Sequence, residues 1–303
     1  MSTGGPTIAL STLHIHGLVY RSSNHTLLDT PLTVHFHDAP PVKIEERRHR
    51  VAWMRDLNDP PPSYRRAPKT GNHVLTISRG EELGEGITGT VYAAHLISWS
   101  PTPSQPSDRA IEELDGCLPP LAITVSSRGM GDVFEHEKSV YDELHDLQGV
   151  AVGRCYGLFR GRLQTGQMLY HWSDSRPDEL DVSVLLLELL GERLPLNRPL
   201  FEGAPFVPQD IIQEWWDLLE DLNQYGIWYG DMHWSSFLEA LPSPPGLQSE
   251  ICPYHKRRHS WKIVDLGHGT EKDWLTEEAR RRYFKDNFDH IIENLQTGTV
   301  IRL

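Results

Sequence analysis

Basic charge is scarce in this 303-residue chain: 29 Lys and Arg against 42 Asp and Glu leave a formal net charge of −13. Such a surface repels a phosphodiester backbone, which argues against general nucleic-acid binding. Cysteine is scarcer still, limited to Cys117, Cys155 and Cys252, far apart in the chain. An odd, scattered set builds no secreted disulfide framework and fits a reducing compartment. Long apolar runs are missing as well; the longest, VSVLLLELL at 182–190, is too short to cross a bilayer. The start, MSTGGPTIAL, has no basic segment ahead of an apolar one. The expectation is a soluble cytoplasmic chain, the nucleus remaining open, with no membrane and no nucleic-acid partner.

What is present suffices for a substantial core: 38% hydrophobic residues and nine tryptophans, enough for one large domain or two lobes. Two basic runs, ERRHR (46–50) and HKRRH (255–259), read as solvated faces or loop tips. The first 75 residues alternate in strand fashion at 7–20, 30–37 and 49–54, and a proline-rich break at 58–71 follows. Polar, Pro/Ser-rich stretches at 98–108, 173–179 and 241–250 read as exposed connections. Between them the pattern predicts strands at 120–127, 155–159 and 182–189, with helices at 134–149 and 209–226. In the second helix Ile211, Ile212, Trp215, Leu218, Leu219 and Leu222 recur at helical spacing, and Gly226 is a natural stop. A third amphipathic helix near the C-terminus aligns Phe284, Phe288, Ile291, Ile292 and Leu295 on one face.

The stretch LGEGITGTVYAA (83–94) places Gly84, Gly86 and Gly89 in a G-x-G-x-x-G pattern. In a dinucleotide-binding βαβ unit the third glycine opens a helix and an acidic residue follows about 20 positions on. Here Thr90, Val91 and Tyr92 favour a strand, and the nearest acidic candidate, Asp108, sits in a Pro/Ser-rich insert. A hairpin is therefore expected, with glycines that let the backbone fold closely over a polyphosphate.

After the hairpin come the strand LAIT, a helix with glutamates, a strand ending LLLELLG, a second helix, then YGDMHWSSFL (229–238) and KIVDLGHG (262–269). From about Val74 to about Gly269 this order resembles the protein-kinase-like superfamily, and the wording looks most like divergent fungal-type kinase-like proteins. The Gly-Asp pair of YGDMH is also similar to that of small-molecule phosphotransferases. The resemblance implies an α+β, bilobal fold: a β-rich N-terminal extension (1–72), a kinase-like N-lobe with its insert and hinge (73–191), and a truncated helical C-lobe (192–303). It implies ATP and Mg2+ as cofactors, with Gly84, Gly86 and Gly89 over the phosphates and Val91 and Ala122 roofing the adenine. Glu137 would be the helix glutamate that pairs with a strand lysine, Leu187 would stand at the back of the pocket, and the Glu188 carbonyl and Leu190 backbone would form the hinge. Asp231 would be the catalytic aspartate, and Asp265 of DLG the magnesium ligand.

Two departures weaken the catalytic equipment. The strand reads Leu121-Ala122-Ile123-Thr124, so Thr124 stands where the resemblance expects lysine, and no lysine occurs between Thr70 and Glu137. Arg128 lies too far along the strand to substitute, and Lys138 should point off the helix in another direction. Ser236 occupies the position of the metal-binding asparagine and is a poorer ligand. Tyr229 and Gly230 replace a His-Arg pair, and His233 reads as a local structural bond or a substrate contact.

His14 and His16, with His35 and His37, form two His-x-His pairs on strands, read as a polar strand face with a metal site as the alternative. Cys252, His255 and His259 are a weaker metal signal, because they sit in an insert expected to be flexible. Three readings stay open. One is a kinase-like scaffold with a nucleotide-shaped cleft impaired in phosphoryl transfer and an unidentified protein partner. Another is an active ATP-dependent kinase with Asp231 as base and Asp265 and Ser236 on magnesium; the third is an interaction module that binds no nucleotide.

Overall fold

The computed structural model describes residues 10–37, 73–100, 118–172, 179–194, 207–230, 232–243, 245–271 and 277–297. The strand expected at 49–54, the break at 58–71, Asp108, Cys117 and Asp231 lie outside them. The chain opens with strands β1 (Leu10–His16), β2 (Val19–Arg21), β3 (Thr26–Leu27) and β4 (Leu32–Phe36). There follow β5 (His73–Glu85), β6 (Gly89–Ser100), β7 (Leu121–Ser126) and helix α1 (Gly131–Glu143). Next come β8 (Cys155–Arg162), β9 (Gln167–Leu169), β10 (Asp181–Glu188), helix α2 (Gln209–Gln224) and β11 (Ile227–Tyr229). The last elements are β12 (Phe237–Glu239), β13 (Trp261–Ile263), β14 (Gly269–Glu271) and helix α3 (Glu277–Thr297). Among the described residues, no helix is long and apolar enough to cross a membrane.

Seven strands close into a barrel in the order β1-β4-β8-β10-β7-β6-β5. Every neighbouring pair is antiparallel except β1 and β5, which run parallel and seal the ring. Closure removes the edges at which an open sheet would recruit another chain. The α+β class expected from the sequence is what the described residues form, but the closed barrel was not anticipated. The sequence reading set residues 1–72 apart, whereas β1 and β4 are staves of the same barrel as β5, β6 and β7.

The side-chain patterns explain the staves. In β1, Leu10, Leu13 and Ile15 are all buried despite the odd step from 10 to 13, because the β1–β5 register shifts between Leu10 and Thr12. In β10, Val182, Val184 and Leu186 fill the barrel with Ile123 and Val125 of β7, while Leu185 points outward into a second core. Burial on both faces is why 182–190 reads as one apolar run instead of an alternation.

That second core lies between the barrel's outer face and the helices. Phe134 and Tyr141 of α1 enter it with Leu158 of β8, and so do Leu218 and Leu222 of α2 and Phe284 and Phe288 of α3. At its centre the Trp215 ring stacks on Phe237 at 4.6 Å and meets Trp261 edge-on at 5.4 Å. The apolar faces expected on α2 and α3 are the ones buried, and Gly226, at φ +71°, follows α2.

The β4–β8 seam depends on one close approach. A Cβ on Gly161 would lie 2.5 Å from the Thr33 carbonyl oxygen and 2.7 Å from Val34 Cγ1. We expect Gly161→Val to force the seam apart and cost about 1–3 kcal/mol of stability, the usual cost of overpacking. Urea denaturation monitored by tryptophan fluorescence measures it; an unchanged midpoint would show that the barrel does not need this contact.

Candidate functional site

The glycine stretch forms the tip of the β5–β6 hairpin, as expected. Glu85 pairs with Thr90, and the Gly86 N–H donates to the Gly89 carbonyl at 2.9 Å. A Cβ on Gly84 would meet nothing within 4 Å, and one on Gly86 only the Gly89 oxygen at 3.8 Å; neither residue has a left-handed φ. Neither packing nor torsion calls for glycine at these two positions, which leaves the backbone open to close approach from outside. Gly89 differs. Its Cβ would fall 2.5 Å from the Val125 carbonyl oxygen and 3.0 Å from Phe134 Cζ, so an apolar ring of α1 lies directly against the third glycine.

Strand alternation turns Ala122 and Thr124 away from the barrel interior that Ile123 and Val125 fill. Thr124 pairs with Val91 on one side and Leu185 on the other, and Ala122 with Ala93 and Leu187. Most of the described cations of this lobe are paired, although Arg128 Nε and Nη1 are buried without a hydrogen-bond partner. Lys138 bonds Asp142 one helical turn on, at 2.6 Å, and the Arg128 guanidinium lies over the Trp172 ring at 4.8 Å. Arg160 on β8 takes Glu135 at 2.8 Å.

Glu137 sits where α1 meets the DLG segment. Its carboxyl accepts a hydrogen bond from the Leu266 N–H, and a Cβ on Gly267 would lie 3.7 Å from Glu137 Oε2. Glu137 is only partly shielded from solvent, and desolvation of its carboxyl, followed by the nearby Asp265 carboxylate, raises its pKa to about 8, with the Leu266 N–H offsetting only part of this. Among the described residues, no cationic side chain is one of the groups that set it. Asp265 itself is exposed and holds a left-handed φ of +61°, a conformation that Asp tolerates better than most residues. The sequence reading found no lysine to pair with Glu137, and the structure sets an Asp265 carboxylate near it.

Short bonds gather the remaining motif segments around Asp265. The Tyr229 hydroxyl donates to the Val264 carbonyl at 3.0 Å, and the Val264 N–H donates to the Ser236 carbonyl at 2.9 Å. Phe237 of β12 pairs with Ile263 of β13, and Tyr229 of β11 with Gly269 of β14. Ser236 is 3% exposed, inside a single 3₁₀ turn, Trp234–Ser236. His233 caps that turn, its Nδ1 accepting from the Ser235 N–H at 3.3 Å, which is the local structural bond considered for it.

The end of β10 holds a feature that the sequence reading missed. Glu188 was singled out for its carbonyl, but its side chain, 4% exposed, is the centre of a buried ion triad. Arg154 Nη1 donates to Glu188 Oε1 at 2.8 Å, the Arg154 backbone N–H to Oε2 at 3.0 Å, and Lys262 Nζ to Oε1 at 3.0 Å. Burial pulls the Lys262 pKa down, opposed by the attraction of Glu188. Leu190 is buried, its Cδ1 3.6 Å from where a Cβ of Gly153 would be. No local sequence signal could have found the triad, because its partners lie 34 and 74 residues from Glu188.

The strand histidines bond to side chains of the protein: His35 to Thr12 at 3.2 Å, His14 to Thr33 at 2.9 Å and His37 to Glu135 of α1 at 2.8 Å.

No protein-family model matches the chain, and no curated protein matches it. Among solved structures it is similar to a crystal structure of the BubR1 kinase domain, at 14% identity and a TM-score of 0.39 over 67% of this chain. The match spans about half of that structure's length, 49%.

The triad gives a stability test. Glu188→Ala would leave Lys262, fully buried, without its counter-charge, and we expect a loss of about 3–5 kcal/mol. Combining it with Lys262→Met should recover much of that loss. Chemical denaturation of both variants measures it; a single variant within about 0.5 kcal/mol of wild type would mean that the triad carries no stability.

Proposed function

We propose that this chain is a kinase-like scaffold whose nucleotide cleft has lost its grip on phosphate, a pseudokinase-type interaction protein with an unidentified protein partner. The observation that carries the reading is the surroundings of Glu137: an Asp265 carboxylate and a backbone N–H, with no cation among the described groups that act on it. Phosphoryl transfer draws most of its acceleration from charge fixed around the phosphates. Thr124 offers only a hydroxyl there. The spatial order of the parts supports the kinase-like frame, namely the glycine hairpin, the outward face of β7, α1 against DLG, and Tyr229 bonded beside Asp265.

ATP would lie under Gly84 and Gly86 against Val91 and Ala122, with the Glu188 and Leu190 backbone at the hinge. Mg2+ would supply charge neutralisation at Asp265. The fit is partial: Asp265 is exposed, while Ser236 is buried and Phe134 lies against Gly89. No reaction step is assigned to Asp231, Ser236 or Glu137 on this footing. Phe134 favours a second reading, an interaction module that takes no nucleotide at all.

Calorimetry and thermal shift with ATP, with and without magnesium, separate these readings from an active enzyme. We expect no phosphate transfer and no magnesium-dependent binding by the wild type. Thr124→Lys should tighten ATP binding by about tenfold or more, the worth of one charge-assisted hydrogen bond. Magnesium-dependent binding by the wild type, abolished in Asp265→Ala, would overturn the proposal in favour of a working phosphotransferase; no binding by either protein at millimolar ATP would leave the module.

A further inference from the structure

The stretch expected to be a flexible insert is folded tightly onto α2. Ile251 and Arg258 form a β-bridge, the Cys252 N–H donates to the Arg257 carbonyl at 2.8 Å, and the Lys256 N–H donates to the Cys252 carbonyl at 3.0 Å. Lys256 takes a left-handed φ of +55° to complete this knuckle. Inside it, the backbone N–H groups of Tyr254 and His255 both point at Cys252 Sγ, each at 3.4 Å. Burial and the Asp221 carboxylate hold the thiol protonated in the absence of an ion, and these two donors offset only part of that.

Cys252, His255 and His259 follow a C-x2-H-x3-H spacing, and the fold adds Asp221 from α2. One ligand atom from each of the four residues lies within 4.8 Å of all the others. Cys252 Sγ is 3.2 Å and 3.4 Å from the two Asp221 oxygens and 3.5 Å from His255 Nδ1. His255 Nδ1 is 3.2 Å from Asp221 Oδ1, and His259 Nε2 is 3.2 Å from Asp221 Oδ2. A tetrahedral ion with bonds of about 2.0–2.3 Å separates its ligand atoms by about 3.3–3.8 Å. The observed distances sit at that spacing or just inside it.

His259 supplies an independent pointer. It is 2% exposed, and neither ring nitrogen makes a hydrogen bond, although Nε2 is close to Asp221. A buried imidazole without hydrogen bonds is costly, and an ion at the centre of the four atoms would take the Nε2 lone pair. The far nitrogens face acidic residues of α2: His255 Nε2 lies 3.8 Å from Asp217, and His259 Nδ1 lies 4.0 Å from Glu214. Carboxylates behind ligating histidines are the usual means of fixing the tautomer and orientation of the ring. Arg257 bonds Asp217 at 2.6 Å and lies 3.4 Å from Glu214, which holds both carboxylates in place.

We propose that Asp221, Cys252, His255 and His259 form a closed, four-coordinate structural site for zinc(II) that staples residues 249–261 to α2. One sulfur, two imidazole nitrogens and one carboxylate oxygen match zinc among the common divalent ions. Asp221 and Cys252 are fully buried, and four protein ligands leave no open position for a substrate, so the ion holds structure and does no chemistry. Its place in the fold gives it a purpose: the stapled segment leads directly into β13, which carries Lys262 and ends just before Asp265. The site stands independently of any nucleotide reading.

The test is metal analysis of the untagged full chain expressed with zinc. We expect about one zinc ion per chain, a lower melting temperature in a strong chelator, and its restoration by added zinc. Cobalt substitution should give tetrahedral visible absorption together with a thiolate-to-cobalt charge-transfer band; Cys252→Ser should lose that band, and His259→Asn should weaken metal retention by tenfold or more. Wild-type protein that carries only traces of metal, takes up none from added zinc and melts unchanged in chelator overturns the proposal, whether or not the variants fold. Stoichiometric cobalt without a thiolate band overturns the assignment to Cys252.

Discussion

One buried carboxylate ties the barrel to strand β13. Glu188 ends the barrel strand β10, and its side chain takes Arg154 from the loop before β8 and Lys262 from β13. Desolvating three charges is unfavourable in itself, and the arrangement persists because each charge is closely paired. The result fixes the position of β13 relative to the barrel, and with it the Asp265–Gly267 segment against α1. The pairing of β12 with β13 and the bond from Tyr229 to Val264 then build on a strand already located.

Other described cations in this region are held in the same way. Arg154 and Lys262 are held by Glu188, Lys138 by Asp142, and Arg160 by Glu135. Arg128 stacks on Trp172. All of these described cations but Arg128, whose Nε and Nη1 are buried without a hydrogen-bond partner, are paired with a carboxylate, and Glu137 stands beside the Asp265 carboxylate. Among the described residues, the basic side chains around α1 and β13 serve mainly to hold the fold, which is the ground for the proposed loss of phosphate binding.

Several local elements were legible in the sequence, because they were written in local patterns. The glycine hairpin, the apolar faces of α2 and α3, and the His233 cap rest on contacts a few residues apart. The barrel was not legible, because its closing pair joins β1 to β5 in parallel, 62 residues apart at Ser11 and His73, and no local periodicity encodes such a partner. Asp221 was missed for a related reason. The apolar positions of α2 dominate its pattern, and the stripe Glu214, Asp217 and Asp221 reads as a solvated face until the 249–261 segment is seen covering it. Cys252, His255 and His259 were discounted because their insert was expected to be flexible, and the fourth residue of the cluster lies 31 residues upstream of Cys252.

The account turns on whether Glu137 lacks a cation. The most direct measurement is a carboxyl-carbon NMR titration of Glu137, assigned with Glu137→Gln, without added divalent ions. The account predicts a midpoint near 8, far above the reference 4.5, together with stability fully present below about pH 4.5 and lost as pH rises through about 8, because the folded state holds the proton more tightly. Tyr141, buried beside the same two carboxyls, should stay protonated throughout. A midpoint at or below 4.5 would mean that a positive charge reaches Glu137, and the loss of phosphate grip would be contradicted.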